Sequence, residues 1–474
     1  MVVLGRQKEK ELLDELLTSP KAEFVAVYGR RRVGKTFLIR QYLKDNLCFD
    51  FTGSDEEDNT VQLANFFREF SRQCIDNQAY LHNWSEGFAL LSDYLYTLDK
   101  TQKVVVFIDE LPWLDKPKSG FLAALQYFWN QHGSQMPHLL LITCGSAASW
   151  IIKNLMDAKG GLYNRVTQSI ELKPFTLSET EEFLKYKNLK FTRYQILQLY
   201  MIMGGIPFYL DAIKPSKSVN QVIDELCFER NGLLVREFKP LYHSLFKDAD
   251  KHLAVIETLA KHPYGMSRQQ ILEATNIPNG GTFVRTIENL IDCGFIKQMT
   301  SFGKKNQDSI FRIIDFYSIF YLKFIQENSI VRVNVWQSIA DSASYQSWCG
   351  YAFENICLLH IEQIHKALGI SGLYSEISSW KFKGDKEMSG TQVDLVIDRK
   401  DGIIHLFECK FTNKEFLLTK DYTAKLRKRR SIFEYATKTK KQVVTSLLST
   451  FPAIRNEYFL EEIHSQVKSE DLFA

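Results

Sequence analysis

The chain has 474 residues, of which 45% are hydrophobic and 24% are charged, a composition typical of globular proteins. At about 150 residues per domain, this length predicts roughly three domains. The net charge of +3 is too small to indicate a nucleic-acid partner by itself, so such a partner has to be argued from local clusters of charge.

The eight cysteines are scattered, with no Cys-x-x-Cys pair and no His cluster at zinc spacing. The N-terminal stretch MVVLGRQKEKELL lacks the long apolar run of a signal peptide. No apolar stretch approaches the length of about 18 residues that indicates a membrane span. These features predict reduced thiols and a cytoplasmic protein without a membrane partner.

The first chemically specific stretch is FVAVYGRRRVGKT, residues 24–36. An apolar, β-branched run leads into Gly-x-x-x-x-Gly-Lys-Thr, and an amphipathic helix is predicted from about Lys35 to Leu43. This pattern predicts a strand, a phosphate-binding loop and a helix whose positive N-terminal end faces phosphate. A chance Gly-rich turn is the alternative, but the preceding strand and the following helix both favour the phosphate loop.

Each residue type in this loop suits nucleotide binding. Two glycines let the backbone N–H groups approach phosphate oxygens, Lys35 reaches the β- and γ-phosphates of ATP, and the Thr36 hydroxyl binds Mg²⁺. The predicted nucleotide-binding residues of the loop are Gly29, Arg30, Arg31, Arg32, Val33, Gly34, Lys35 and Thr36.

A second apolar run, Val104–Ile108, ends in two carboxylates. A wholly apolar strand is typical of a buried parallel sheet, and this one predicts a Walker B strand. Asp109 is predicted to hold Mg²⁺, and Glu110 to orient and deprotonate the water that attacks the γ-phosphate. The alternative is an acidic strand end that faces solvent.

A third apolar strand, Leu139–Thr143, is followed by Ser146, a candidate sensor of the γ-phosphate or a serine in a tight turn. Arg165 is a candidate arginine finger or sensor, or a member of a surface ion pair. Strands alternating with helices predict a doubly wound α/β domain, followed by a helical lid from about Thr176 to Phe246 that contains Gly204-Gly205-Ile206-Pro207.

These motifs resemble the archaeal-type ATPases of the STAND/AAA+ neighbourhood, which carry Gly-x-Arg-Arg-x-Gly-Lys-Thr, an Asp-Glu strand end and a later Gly-Gly-x-Pro. The matching residues are Gly29–Thr36, Asp109-Glu110 and Gly204–Pro207. The resemblance implies a protein that binds and hydrolyses ATP. No lid arginine equivalent to the second sensor of AAA+ machines is evident, so a switch is at least as well favoured as a motor.

From His252 to Lys297 the pattern predicts short helices, the second opened by a capping box at Ser267–Gln270. In the third helix we expect Phe283, Ile287, Leu290 and Ile291 to face inward, and Thr282, Arg285, Thr286 and Asn289 to face outward. The strand-like runs Phe295–Met299 and Ser309–Ile313 flank a predicted basic wing tip.

This middle segment is typical of a winged helix, which contacts DNA through its third helix and its wing. The predicted DNA contacts are Arg285 in the third helix, and Lys304 and Lys305 in the wing. Winged helices also serve as protein-interaction modules, and both alternatives stay open.

Near the C-terminus the sequence predicts a hairpin that carries Asp394 on one strand and Glu408 with Lys410 on the next. Because side chains alternate along a strand, Glu408 and Lys410 face the same side. Such carboxylates can hold a divalent cation, and a lysine can position water or stabilise charge on phosphate. Glu354, in an upstream helix, is the predicted third carboxylate.

The predicted order is the Glu354 helix, a strand near Leu373–Phe382, the Asp394 and Glu408 strands, a basic helix and a strand at Gln442–Leu447. This order resembles the PD-(D/E)xK nuclease core. In the archaeal ATPase family such a domain commonly follows a winged helix. The resemblance therefore implies catalytic roles for Glu354, Asp394, Glu408 and Lys410, and a site for Mg²⁺ or Mn²⁺ on the three carboxylates.

Between Lys425 and Lys441 there are eight Lys or Arg residues and one acid, Glu434. Leu426 and Phe433 are the predicted buried stripe of this helix. A solvated face is the usual explanation of such a run, but its position after the Glu-x-Lys strand favours contact with DNA phosphates. The residues assigned to this contact are Arg427, Lys428, Arg429 and Arg430.

The preferred hypothesis is an ATP-regulated protein that binds DNA and cleaves it at a metal-dependent site. The alternative is a regulatory or signalling STAND-type ATPase whose C-terminal domain only binds DNA or protein. A homo-oligomer is compatible with either hypothesis. The predicted domains are the P-loop ATPase core at 1–175, the helical lid at 176–246, the winged helix at 247–315, a helical linker at 316–345 and the restriction-endonuclease-like α/β domain at 346–474.

Overall fold

A computed structural model describes residues 2–55, 57–74, 81–157, 164–304, 309–328 and 335–474. The chain divides into two compact units. The first comprises residues 1–174 with 245–247 and 292–294, and the second comprises 175–244, 248–291 and 295–474. No helix in the described part of the chain is both long and apolar enough to span a bilayer.

The first unit is built on a parallel sheet in the order β2-β3-β4-β1-β5. Its strands are β1 (Glu23–Tyr28), β2 (Leu47–Thr52), β3 (Val104–Asp109), β4 (Leu139–Gly145) and β5 (Gln168–Glu171). Its helices are α1 (Gln7–Thr18), α2 (Lys35–Tyr42), α3 (Asn59–Gln73), α4 (Trp84–Thr97), α5 (Leu111–Leu114), α6 (Phe121–Gln131) and α7 (Ala148–Ile151). The predicted α/β fold with a parallel sheet is confirmed.

Aromatic side chains from β2 and the surrounding helices form the core of this sheet's edge. Phe66 of α3 packs edge-to-face against Phe49, Phe51 and Trp84, with ring centroids 5.2, 5.2 and 5.5 Å away. Edge-to-face pairs of this kind add stability beyond the area that they bury. This packing holds α3 and α4 against the sheet. The loops lie at the carboxyl ends of its strands.

The order of the strands decides what those loops can do. Strand β4 lies between β1, which enters the phosphate loop, and β3, which ends at Asp109. In an open parallel sheet, ligands bind beyond the carboxyl ends of the strands. The loops after β1, β3 and β4 therefore meet at one edge.

The second unit begins with the helices α8 (Leu177–Tyr186), α9 (Arg193–Met203), α10 (Pro207–Asp211), α11 (Val219–Cys227) and α12 (Leu233–His243). Capping boxes at Thr176, Thr192 and Ser218 start α8, α9 and α11. The Gly-Gly-x-Pro motif ends α9. Gly205 lies so close to Phe175 that a Cβ atom would overlap the Phe175 carbonyl oxygen, which explains the glycine.

The middle segment contains α13 (Ala249–Ala260), β6 (Met266–Ser267), α14 (Arg268–Thr275), α15 (Gly281–Asp292), β7 (Ile296–Met299) and β8 (Ile310–Ile313). The strands form an antiparallel sheet in the order β6-β8-β7. The predicted capping box at Ser267 is present.

One prediction for α15 is wrong. Thr286, expected to face outward, is buried, and its hydroxyl donates to the Thr282 carbonyl at 3.0 Å. The threonine satisfies its hydroxyl on its own helix, so burial costs it no hydrogen bond. Phe283, Ile287 and Leu290, expected to face inward, are buried, and Ile291 is half-buried.

The remaining helices are α16 (Phe316–Phe320), α17 (Val335–Ala340), α18 (Ala343–Leu359), α19 (Ile361–Ala367), α20 (Lys420–Thr437) and α21 (Glu457–Glu462). The strands are β9 (Ser375–Gly384), β10 (Ser389–Arg399), β11 (Ile403–Lys410), β12 (Gln442–Ser449) and β13 (Ile463–Lys468). They form a mixed sheet in the order β13-β12-β11-β10-β9. Every element predicted for this segment is present in the predicted order.

Helix α20 is held on this sheet by two apolar clusters. Leu426 belongs to one cluster with Leu447 of β12, and Phe433 belongs to the other with Trp380 of β9. Leu426 and Phe433 are both buried, as the seven-residue spacing predicted. The basic side chains of α20 therefore lie on its other faces.

Candidate functional site

The phosphate loop has the backbone that its glycines predicted. Gly29 has φ 140°, and a Cβ atom there would overlap the Leu172 carbonyl oxygen. Gly34 has φ 93° and caps α2, which starts at Lys35. Both conformations favour glycine, so the two glycines let the loop turn closely into the helix N-terminus.

Lys35 is buried, and its ammonium donates to the carbonyls of Gly29 at 2.9 Å and Arg30 at 3.0 Å. These contacts hold the charge over the loop, where phosphate oxygens would replace the carbonyls as acceptors. Arg30 is buried, Val33 is buried, and Arg31 and Arg32 are half-buried.

Sequence reasoning missed one residue that supports this loop. The buried Arg6 has φ 59° and donates from Nη2 to the Val33 carbonyl at 3.0 Å. A planar guanidinium is suited to such fixed geometry. The only signal in the sequence was the Gly5-Arg6 pair before α1, whose contact with the loop is long-range.

The predicted Mg²⁺ residues are in contact with each other. The Thr36 hydroxyl donates to Asp109 Oδ2 at 2.6 Å, and Asp109 is buried at the end of β3. A hydroxyl and a carboxylate are hard oxygen donors of the kind that Mg²⁺ prefers beside phosphate. These two residues therefore fit the ion that accompanies a nucleotide.

Glu110 follows directly, with φ 52°, a left-handed conformation that is uncommon for a residue with a side chain. Its carboxylate accepts from the Ser146 N–H at 3.1 Å and from the Ser146 hydroxyl at 2.9 Å. Burial raises the pKa of Glu110, and Asp109 adds to the rise, whereas Lys35 and Ser146 oppose it. A carboxylate that is aimed by neutral donors and has a raised pKa suits a general base.

Ser146 was predicted to sense the γ-phosphate, but in this structure its hydroxyl is bonded to Glu110. It reaches Glu110 because β4 lies next to β3 in the sheet. Arg165 lies in an exposed turn before β5, and no hydrogen bond or ion pair involves its side chain among the residues that the structure describes. Its predicted role as a finger or sensor stays a prediction.

A second group of charged residues lies in the C-terminal sheet. Strands β10 and β11 pair antiparallel from Leu395 opposite Phe407 to Asp398 opposite Ile404. Asp394 and Glu408 each lie one residue beyond the same end of this pairing. The pairing of β10 with β9 shifts register between Val393 and Val396, an interval that includes Asp394. Bulges are frequent beside active sites because they redirect a side chain.

Glu408 is held by cations and a hydroxyl. Lys410 Nζ lies 2.8 Å from Glu408 Oε1, the Tyr422 hydroxyl donates to the same oxygen, and Arg429 binds Oε2. Burial alone would raise the pKa of Glu408, but Arg429 and Lys410 outweigh it and hold the pKa below its usual value. Glu408 is therefore an ionised, neutralised carboxylate.

Glu354 of α18 forms a buried ion pair with Arg312 of β8, at 3.0 Å. Burial, together with the nearby Asp394 and Glu408, raises the pKa of Glu354 to about 7 in spite of Arg312. Glu354 is therefore close enough to Asp394 and Glu408 for their charges to act on it.

Within the described residues, no group of three or more His, Cys, Asp and Glu side chains has a geometry that could hold a metal ion. Glu354 is turned to Arg312, which takes it out of such a group. Mg²⁺, however, is commonly bound by one or two carboxylates with waters and substrate phosphate. The pair Asp394 and Glu408 fits that smaller donor set.

Three of the four basic residues of α20 that were assigned to DNA contact form ion pairs with acids. Arg429 turns inward to Glu408, Arg427 pairs with Glu461 at 2.7 Å, and Arg430 pairs with Glu462 at 3.3 Å. Arg429 and Arg430 are half-buried, whereas Arg427 stays exposed. Lys428 is exposed and has no ion pair in the described part of the chain.

The other predicted DNA contacts are Arg285, which is exposed on α15, and Lys304, which is exposed between β7 and β8. Lys305 lies outside the described residues. The segment that follows β7 is joined to the C-terminal sheet, because Phe302 N–H donates to the Ser379 carbonyl at 2.8 Å. The Phe302 ring also packs on Phe433, with centroids 4.9 Å apart.

The phosphate loop, the Thr36–Asp109 contact and the oriented Glu110 are the features of a P-loop nucleotide site. A family model described as an ATPase domain predominantly from Archaea matches residues 4–213. Together with the geometry of the site, this match confirms the predictions of ATP binding and of an ATPase.

Two proteins of Methanocaldococcus jannaschii are similar in sequence. An uncharacterized protein is 24% identical over 405 residues, which is 83% of this chain and 83% of that protein. An uncharacterized ATP-binding protein is 40% identical over 45 residues, which is 10% of this chain and 76% of that protein.

Two solved structures align with this chain at low identity. A Walker-type ATPase of Pyrococcus abyssi is 19% identical, with a TM-score of 0.49, over 68% of this chain and 96% of that chain. The Aeropyrum pernix ORC2 protein is 15% identical, with a TM-score of 0.44, over 71% of this chain and 95% of that chain.

Proposed function

We propose that this ATPase binds DNA and cleaves it at a metal-dependent site in its C-terminal domain, under the control of bound nucleotide. The observation that carries the proposal is the antiparallel pairing of β10 with β11, since Asp394 and Glu408 lie at the same end of it and Lys410 Nζ lies 2.8 Å from Glu408. In this proposal residues 176–246 are a lid, 247–315 a winged helix, 316–345 a linker and 346–474 a PD-(D/E)xK nuclease domain.

In the ATPase domain, Lys35 binds the β- and γ-phosphates, and Thr36 with Asp109 binds the accompanying Mg²⁺. Glu110 accepts a proton from the attacking water, in a direction fixed by Ser146. The exposed Arg165 is available to a second copy of the chain as an arginine finger, which would make hydrolysis depend on a homo-oligomer.

At the C-terminal site, Asp394 and Glu408 would hold Mg²⁺ or Mn²⁺. The bound ion would supply charge stabilisation to the phosphodiester and its attacking water. Lys410 is already within hydrogen-bond distance of Glu408 and is kept protonated, since Glu408 raises its pKa against the effect of burial. It therefore acts as a cation that orients the water or stabilises negative charge on phosphate.

The test is incubation of the protein with supercoiled plasmid and Mg²⁺ or Mn²⁺, with and without ATP. The wild type should nick or linearise the plasmid in a metal-dependent way, and Asp394→Ala should not. Lys35→Ala should lose the effect of ATP on cleavage while retaining the C-terminal site. Equal cleavage by wild type and Asp394→Ala would place the activity elsewhere.

The second candidate is a regulatory ATPase whose C-terminal domain only binds DNA or protein. It is favoured by the ion pairs of Glu354 with Arg312 and of Glu408 with Arg429, which neutralise two of the carboxylates without a metal ion. Absence of cleavage on duplex, single-stranded and branched DNA in the presence of ATP would support this function instead.

A further inference from the structure

Two tyrosines from distant parts of the second unit are in contact near the carboxylates Glu354, Asp394 and Glu408, which together are called the acid site. Tyr264 lies in the loop between α13 and β6, and Tyr351 lies on α18. Their rings are 5.2 Å apart between centroids, at 85°, and the Tyr264 hydroxyl donates to the Tyr351 hydroxyl at 3.3 Å. Tyr264 is 41% exposed, so part of this aromatic pair is open to a ligand.

The loop that carries Tyr264 is fixed by its neighbours. Gly265 has φ 84°, and a Cβ atom there would lie 2.7 Å from the Phe311 carbonyl oxygen. The next residue of that strand, Arg312, donates to the Tyr351 carbonyl at 3.4 Å and to Glu354 at 3.0 Å. The aromatic pair is therefore held in place before any ligand binds.

The same contacts put the pair beside the carboxylates. Tyr351 precedes Glu354 by three residues, so the two side chains lie on one face of α18. Burial and the bond to Tyr351 raise the pKa of Tyr264, and the charges of Asp394 and Glu354 add to the rise. Tyr264 is thus within electrostatic reach of the acid site.

We propose that Tyr264 and Tyr351 form a stacking platform for an unpaired nucleobase next to the acid site. The proposal rests on the function proposed above and adds a substrate class to it: single-stranded DNA, or duplex DNA with a single-stranded end. Exposed aromatic rings bind unpaired bases of any sequence because every base has a π-face. Bases inside a duplex already stack on each other and do not offer that face.

The small number of unpaired arginines on α20 favours a short single-stranded segment over a duplex as the ligand. Arg427, Arg429 and Arg430 are occupied by acids, which reduces the number of cations on α20 that can neutralise phosphates. A duplex presents twice the phosphate density of a single strand and is usually bound by many free cations. Stacking supplies affinity that does not depend on those cations.

The experiment measures binding of fluorescein-labelled oligothymidylate, with a labelled hairpin duplex in parallel, in Ca²⁺ to limit cleavage. Tyr264→Ala and Tyr351→Ala should each weaken oligothymidylate binding by roughly fivefold to a hundredfold. Tyr264→Phe and Tyr351→Phe should keep most of the affinity, because the ring remains. Tyr186→Ala, at an exposed tyrosine of α8, is the matched control and should bind as the wild type does.

A variant that keeps an apolar side chain separates stacking from packing: Tyr264→Leu should bind as weakly as Tyr264→Ala. The platform is refuted if wild type does not bind oligothymidylate, if the Ala variants bind as tightly as wild type, or if the Phe variants lose as much as the Ala variants. Wild type that binds but cleaves no DNA would overturn the proposed nuclease and leave the platform supported.

Discussion

The phosphate-loop site and the C-terminal acid site both contain paired carboxylates, but they hold them with different partners. Asp109 and Glu110 accept hydrogen bonds from neutral donors, namely the Thr36 hydroxyl and the N–H and hydroxyl of Ser146. Glu354 and Glu408 are instead paired with cations, Arg312 for the first and Lys410 with Arg429 for the second.

This difference bears on what each site can do. A neutral donor orients a carboxylate without cancelling its charge, so Asp109 and Glu110 remain available to a metal ion and to water. A buried cation cancels the charge, and removing either partner leaves an unpaired charge that is costly. The ATP site is therefore ready for its ligands, whereas the acid site has to exchange at least one cation to bind a metal ion.

The largest effect is expected on the rate of ATP hydrolysis, from substitution of Glu110, which accepts hydrogen bonds from neutral donors. Glu110→Gln should bind ATP normally and hydrolyse it about a hundredfold to ten-thousandfold more slowly, because an amide cannot accept the water proton. Calorimetry measures the binding and phosphate release measures the rate. Glu15→Gln, an exposed acid of α1, is the control. Hydrolysis at the wild-type rate would mean that the base is another residue.

The second-largest effect is expected on the rate of DNA cleavage, from substitutions in the acid site. Asp394→Ala and Lys410→Ala should each reduce DNA cleavage on the order of a hundredfold or more, through loss of transition-state stabilisation. ATP hydrolysis should be nearly unchanged, since neither residue belongs to the ATPase domain. Glu415→Ala, at an exposed carboxylate beyond β11, is the control. A loss of ATP hydrolysis in either variant would contradict the separation of the two sites.

The hydrogen bonds from Ser146 predict a smaller change that depends on pH. Ser146→Ala should slow hydrolysis about fivefold, the value of one hydrogen bond of about 1 kcal/mol. Ser146 lowers the pKa of Glu110, so its removal raises that pKa further. The base must be ionised, and the rate of the variant should therefore begin to fall at a higher pH than that of the wild type.

A pH–rate profile of steady-state ATP hydrolysis measures this shift, with Ser149→Ala as the control on the neighbouring helix α7. An identical acidic limb for Ser146→Ala and wild type would show that Ser146 does not act through Glu110.

The smallest effect concerns the basic face of α20. Lys428→Gln should lower the slope of DNA affinity against salt concentration by about 1, since one fewer phosphate is neutralised. Arg427→Gln should change the slope less, because Glu461 already neutralises Arg427. Fluorescence anisotropy at several salt concentrations gives both slopes. Equal slopes for Lys428→Gln and wild type would assign Lys428 to a solvated face.

The sequence by itself determined the parts whose signal is local. The phosphate loop depends on glycines at fixed spacing in residues 29–36, and the strand that ends at Asp109 depends on a continuous apolar run. The capping box at Ser267 and the buried pair Leu426 and Phe433 follow from helical geometry over one or two turns. Such patterns fix secondary structure and one buried face, because they involve neighbours in the chain.

Only the tertiary structure decided the direction of the charged side chains. Three of these contacts join residues that are far apart in the sequence. Arg6 and Val33 are 27 residues apart, Arg429 and Glu408 are 21 residues apart, and Arg312 and Glu354 are 42 residues apart. A run of basic residues looks solvated in the sequence, but each guanidinium turns to whichever acid the packing brings near. Long-range pairing of elements therefore set the partners of the site residues, and no spacing within the sequence encodes that pairing.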